Sequence, residues 1–187
     1  MQNPNGTLDQ HGQENIFRAA RLCAPSLDRL GRMTFSCSAD KPEGLSTWCD
    51  ITFLPVIVPA IQAAHAAASQ QGARELRAVD RLLDAGLSAD SAFRSRDAGH
   101  IAVSDFHAPK SERTLSRYLE AVGKGESPGH FATILAARAA VFHIPAGTAL
   151  AAYAFIEMRC LRSKEVWPAV AHCLARIPAS ALLLRAA

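Results

Sequence analysis

Aromatic residues are scarce in this chain, at 6% of 187, and a strong charge of one sign is missing: the formal net charge is +3. Few aromatics argue against a β-sandwich. A mild charge with no basic run and interleaved aromatics leaves nucleic acid nothing to grip, so no nucleic-acid partner is expected. Residues 1–20 are polar and lack the apolar core of a secretory leader, which points to a cytoplasmic protein. The longest apolar run, Ile51 to Ala68, is interrupted by Pro55, Pro59, Gln62 and His65, a poor membrane span. The five cysteines (Cys23, Cys37, Cys49, Cys160, Cys173) are odd in number and far apart, so neither a disulfide framework nor a zinc knuckle emerges. Thiols of a reducing compartment are expected. G-x-S-x-G, H-E-x-x-H and any outstanding carboxylate pair are also missing, so no enzyme is expected.

What the chain has instead is alanine, which lifts the hydrophobic fraction to 49% and lets helix axes approach closely. The organising stretch is Ser127–Ala154. Ser127 is placed to cap a helix with Pro128 in its first turn, and Phe131, Ile134, Leu135, Val141 and Phe142 follow near one helical period. A break at His143–Ile144–Pro145 separates this helix from a second, carrying Leu150, Tyr153 and Ala154. Upstream, Leu54, Ile57, Val58, Ile61, His65 and Ala68 form one stripe, with Pro59 a kink. Leu76, Val79, Leu82 and Leu83 form another, stopped by Gly86. Ser88 or Asp90 caps a helix bearing Phe93, Ile101 and Val103. Pro109 ends it, and Ser111 opens one with Leu115, Tyr118, Leu119 and Val122, closed by Gly123 and Gly125. Trp167, Val170 and Leu174 mark the next, with an apolar turn at Leu182–Leu184. The fold class is therefore all-α: one single-domain bundle of roughly seven to eight helices. Residues 1–15 are turn formers expected to be disordered, 1–50 as a whole are expected to be poorly ordered or irregular, and 51–187 carry the helical domain.

Three constellations invite chemistry. Val122–Gly123–Lys124–Gly125–Glu126–Ser127 has the flavour of a phosphate loop, but its first glycine is missing and a helix precedes it where a strand is needed. His100, Asp105 and His107 form the most metal-like cluster. On a continuous helix, however, residues seven apart lie about 10 Å apart along the axis and cannot share one ion. His65 sits on an apolar stripe as a core histidine. His130 follows Ser-Pro-Gly near a helix N-terminus, where the dipole disfavours a charged imidazole and packing or a backbone hydrogen bond suits it.

Taken in order, LPVIVPAIQAAHAAA (Leu54–Ala68), LRAVDRLLDAGLSADSAFRSRDAG (Leu76–Gly99) and GHFATILAARAAVFHIPAGTALAAYAFIEM (Gly129–Met158) resemble the urease accessory protein UreF family. The order of an "LP-x-x-x-AA-H" helix, an Asp helix with paired leucines, an Arg helix with small residues, "GH-aromatic-A" and "A-L-x-A-Y" carries the likeness over about three fifths of the chain. The family's N-terminal "L-P-x-G" turn is degraded, with Phe35–Ser36 and Gly44–Leu45 as its remnants, and its C-terminal turn is only partly matched by Arg176–Ser180. The resemblance implies an all-helical, non-catalytic scaffold that joins the UreD/UreH protein and the GTPase UreG and helps load nickel into apo-urease. It also implies a homodimer, no tightly bound cofactor, and nickel handled only in the assembled complex. The family-matched residues are His130 and Tyr153, with Arg94 and Arg96 as partner-facing charges. Two other readings stand beside it: a helical ligand-binding or regulatory module with a pocket lined by Phe131, Phe142 and Tyr153, and a metal enzyme built on His100, Asp105 and His107.

Overall fold

The computed structural model describes residues 8–30, 33–35, 42–104 and 112–178. These form α1 (Gln10–Cys23), a 3-10 turn (Leu27–Arg29), α2 (Pro42–Trp48), a π-helical segment (Cys49–Ile57), α3 (Val58–Ser69), α4 (Ala73–Gly86), α5 (Ala89–Ser104), α6 (Arg113–Gly123), α7 (Phe131–Val141), α8 (Ala146–Met158) and α9 (Ser163–Ala175). The run from α2 through the π segment to α3 is continuous, so the described residues make eight helices and no strand, the all-α bundle expected. Leu182–Leu184 lie outside the described residues.

Helix α7 is the axle. Every side chain from Phe131 to Ala139 is buried, and α7 packs against α1, α3, α4, α5, α6 and α8. Helix α8 is buried on all sides from Ala149 to Met158 and packs on α1, α3, α7 and α9. A helix apolar all round belongs inside, and alanine makes two such helices affordable in one small core. The break between them falls where the sequence placed it. His143 adopts φ 54°, its N–H bonds the Ala140 carbonyl at 3.0 Å, and the Ile144 N–H bonds the Ala139 carbonyl at 2.8 Å. That pair of bonds is a Schellman ending, with Pro145 just beyond it. Gln71 and Gly125 end α3 and α6 in the same way.

Four sequence expectations are corrected. Residues 10–15 are helical, because Asp9 caps α1 by accepting the Gly12 N–H at 2.7 Å; Ile16, Ala19, Ala20 and Cys23 then bury that helix against α8. The irregular stretch foreseen over 1–50 thus contains α1 and α2. Where a kink at Pro59 was expected, the chain forms a π-helical segment around Pro55: Val58 N–H reaches back five residues to the Phe53 carbonyl. The wider turn makes room for a ring that lacks an N–H and crowds the preceding turn. Helix α7 starts at Phe131, three residues after Pro128, with His130 as its cap residue. Finally, α5 buries Ala92, Ser95, Ala98, Gly99 and Ala102, while Phe93 is 65% exposed. A close crossing selects the small-residue face over the large-residue one: at Gly99 an added methyl would overlap the Gly129 carbonyl oxygen.

The run Gly44–Ser69 is long and apolar enough to cross a membrane by length and composition. Here its α3 portion is packed on α7, α4 and α8.

Candidate functional site

Helix α4 is amphipathic, and its buried face reads Leu76, Asp80, Leu83. An ionisable residue on that face must find donors, since an unpaired buried carboxylate is costly. Asp80 is fully buried and finds three. Ser127 Oγ donates at 2.7 Å, the Gly129 N–H at 2.6 Å and the His130 N–H at 2.9 Å. Ser127 therefore does not cap α7 as the sequence suggested. It donates to a carboxylate from another helix, which gathers the amides ahead of α7 and places negative charge at that helix's positive end. Gly129 makes this turn possible: its φ is +79°, and a Cβ there would come within 2.5 Å of Val122.

One turn along α4, Asp84 continues the row outward. Its Oδ1 accepts from His130 Nε2 at 3.0 Å and also pairs with Arg96 of α5. The row thus runs from the core to the surface: Asp80, the His130 backbone, the fully buried His130 ring, then Asp84 and Arg96 at about one-third exposure. Burial pushes the His130 pKa below its ordinary value, against the pull of Asp80 and Asp84. The ring is thereby held neutral, its Nε2–H donated to Asp84 and its Nδ1 without a partner among the described residues. Tyr118, beside Asp80 and Thr133 but aligned for a hydrogen bond with neither, is kept protonated by burial first and by the Asp80 charge second.

A second buried acid organises a separate part of the core. Glu157 of α8 accepts the Thr34 N–H at 3.1 Å, the Phe35 N–H at 3.1 Å and the Tyr153 hydroxyl at 2.6 Å, and the Thr34 hydroxyl as well. Trp48 Nε1 donates to Thr34 Oγ1 at 3.3 Å. Burial raises the Glu157 pKa and that of Tyr153. This network fastens residues 33–35 to the central helices.

The model of the UreF family matches residues 40–161, from the entry to α2 to just past α8. The chain belongs to the UreF family. No curated protein and no solved structure gives a significant match.

UreF membership puts the four residues singled out from the sequence in context. His130 and Arg96 meet on Asp84. Tyr153 is elsewhere, fully buried on Glu157. Arg94 stays on its own helix, paired with Asp90 one turn back. His65 ties α3 to the α7–α8 break through the Ile144 carbonyl at 2.8 Å, the satisfied role expected of it. Of the residues foreseen around a ligand pocket, Phe131 and Tyr153 pack on each other with ring centroids 6.1 Å apart, and Phe142 caps the far end of α7. His100 is exposed on α5, whereas Asp105 and His107 lie outside the described residues. Among the described residues no group of three or more His, Cys, Asp or Glu side chains is gathered to hold a metal.

The organising residues that sequence reasoning passed over are Asp80, Asp84 and Glu157. Their signals were present. Asp80 lies four after Leu76 and three before Leu83, inside the apolar stripe, and Glu157 is the lone acid of AGTALAAYAFIEM.

Proposed function

We propose that this chain is a non-catalytic accessory factor in urease maturation. In this reading it is a rigid helical body on which the UreD/UreH protein and the GTPase UreG assemble with apo-urease while nickel is inserted. It works in the cytoplasm as a homodimer, with no resident cofactor, and nickel is cargo of the assembled complex. The observation that carries the reading is the family match over 40–161, which spans α2 through α8 and so the whole central pair. The geometry supports it from the other side. The buried acids Asp80 and Glu157 are bonded to backbone amides, and the buried His130 ring to Asp84, which suits a body whose work is done by its outer faces.

Complementation tests this. The chain is expressed in cells that carry urease, nickel and every accessory factor except the F-type one, and urea hydrolysis is assayed. Restored hydrolysis is the expected result. A soluble, helical chain that restores none, and that fails to capture the other accessory proteins in a pull-down, overturns the proposal.

A further inference from the structure

Cys49, the first residue of the π-helical segment, and Cys173, in the last turn of α9, are 124 positions apart in sequence, yet their sulfurs lie 3.3 Å from each other. Both side chains are fully buried and both are free thiols. The surroundings align the two elements at more than this point. Arg176, just past α9, pairs with Asp50, the neighbour of Cys49, and His172 Nε2 lies 3.5 Å from Ser46 Oγ on α2. Two sulfurs brought into contact by elements so remote are already positioned for a bond, and closing to a disulfide length requires only about 1.2 Å of further approach.

We propose that Cys49 and Cys173 are an oxidation site: a buried dithiol that hydrogen peroxide converts to an internal disulfide, fastening α9 covalently to the helix that enters the family-matched region. That region ends at residue 161, so α9 lies beyond it and is otherwise held by noncovalent contacts, chiefly packing on α8 and the Arg176–Asp50 pair.

The two sulfurs have distinct parts. The two sulfurs share one hydrogen bond, in which either thiol can donate. That hydrogen bond first, and the Arg176 charge after it, hold the Cys49 thiol below its ordinary pKa against burial and Asp50; Cys173 is pushed up. Cys49 is therefore the attacking sulfur. Its thiolate breaks the peroxide O–O bond, forming an S–O bond and releasing hydroxide, which takes a proton to become water. The Cys49 sulfur is oxidised by two electrons to a sulfenic acid, and the peroxide is reduced. Cys173 sulfur then attacks Cys49 sulfur. The S–S bond forms, the S–O bond breaks, and the leaving hydroxide combines with the Cys173 proton as a second water. The sum is two thiols and one peroxide giving one disulfide and two waters. The Asp50–Arg176 pair next to Cys49 in sequence is partly exposed, its side chains at 54% and 31%.

The test uses the whole chain, fully reduced and then treated with hydrogen peroxide, alkylated and digested without reductant. A peptide pair joining Cys49 to Cys173, lost on dithiothreitol treatment, is expected. Recovery of both cysteines as separate alkylated peptides, or Cys173 joined to another cysteine, overturns the proposal. In Cys173→Ser, which keeps a hydroxyl donor beside Cys49, peroxide with dimedone should label Cys49 as a trapped sulfenic acid, whereas in Cys49→Ser it should leave Cys173 unlabelled; the reverse pattern also overturns it. The cross-link should raise the midpoint of thermal unfolding by several degrees, as expected for closing a long loop. The wild-type peptide map decides the matter even if a variant fails to fold.

Discussion

A single carboxylate does more for this molecule than any of its charged surface residues. Asp80→Ala would strand the Ser127 hydroxyl and the Gly129 and His130 amides in a dry core, at a cost of about 3 kcal/mol or more. Urea unfolding should show that loss; a shift under about 0.5 kcal/mol, the ordinary effect of a surface change, would contradict the role assigned here. His130 gives a second handle at the same scale, through pH. Its pKa is lowered in the folded state by burial, so the folded protein binds that proton less readily than the unfolded chain does. Its contribution is complete above the ordinary histidine value of about 6.5 and fades as pH falls below it. Glu157 has the opposite sign: its raised pKa favours folding below about pH 4.3 and gives that up as pH rises through the folded value. Subtracting the melting profile of His130→Gln from that of the wild type isolates the histidine. The difference should appear between pH 7 and 5 and should shrink toward the acid side; a flat difference would sink the argument. His130 was legible in the sequence because it sits beside a helix start. Asp80 was passed over because the Asp and Arg residues alternating along α4 imitate a solvated face, although its spacing from Leu76 and Leu83 sets it on the apolar stripe.

At the scale of elements, two contacts set the arrangement of the helices. Gly99 lets α5 meet the turn before α7 so closely that no side chain fits. Gly99→Ala should push α5 outward at a cost of about 3 kcal/mol, the upper end for overpacking, because the atom it meets is backbone and cannot swing aside. Thermal unfolding of that variant checks it, and Gly86→Ala, which meets only a Val56 methyl, is the control that should be far milder. Glu157 plays the matching part for the segment before α2, holding the Thr34 and Phe35 amides on α8. Glu157→Ala should release residues 33–35 first, visible as fast amide exchange there while α7 stays protected. The helices themselves were readable from the apolar pattern, since α4 and α6 repeat near 3.6 residues and α7 and α8 are apolar throughout, and so were their ends where glycine or proline marks them. What spacing could not show was the π-helical segment around Pro55, or the buried face of α5. A periodicity search rewards Phe93, Ile101 and Val103, but close helix packing rewards alanine and glycine.

For the whole molecule, the question becomes which faces remain for partners once the core has consumed its polar groups. Two large apolar side chains stand out on adjacent helices of the family-matched region: Leu82 on α4, 74% exposed, and Phe93 on α5, 65% exposed. The two helices are tied by Asp84 and Arg96, and Arg94 lies beside Phe93, held by Asp90 on its own helix. An exposed phenylalanine rimmed by arginine has the composition of an interface anchor, and it contributes little to the monomer's own stability. Phe93→Ala should leave the unfolding free energy within about 0.5 kcal/mol of wild type, because no buried contact is lost. In the complementation assay the same variant should lower urea hydrolysis, with capture of the accessory partners weakened about tenfold, the effect of truncating one anchor worth roughly 1.4 kcal/mol. Asp80→Ala should lower hydrolysis too, but only in step with its loss of folded protein. Measuring both quantities on both variants separates a surface that binds from a core that merely holds. If Phe93→Ala and Leu82→Ala complement as well as the wild type while staying folded, the partner face lies on another side of the bundle, and the exposed Phe17 of α1 and Ile51 of the π-helical segment become the positions to truncate next.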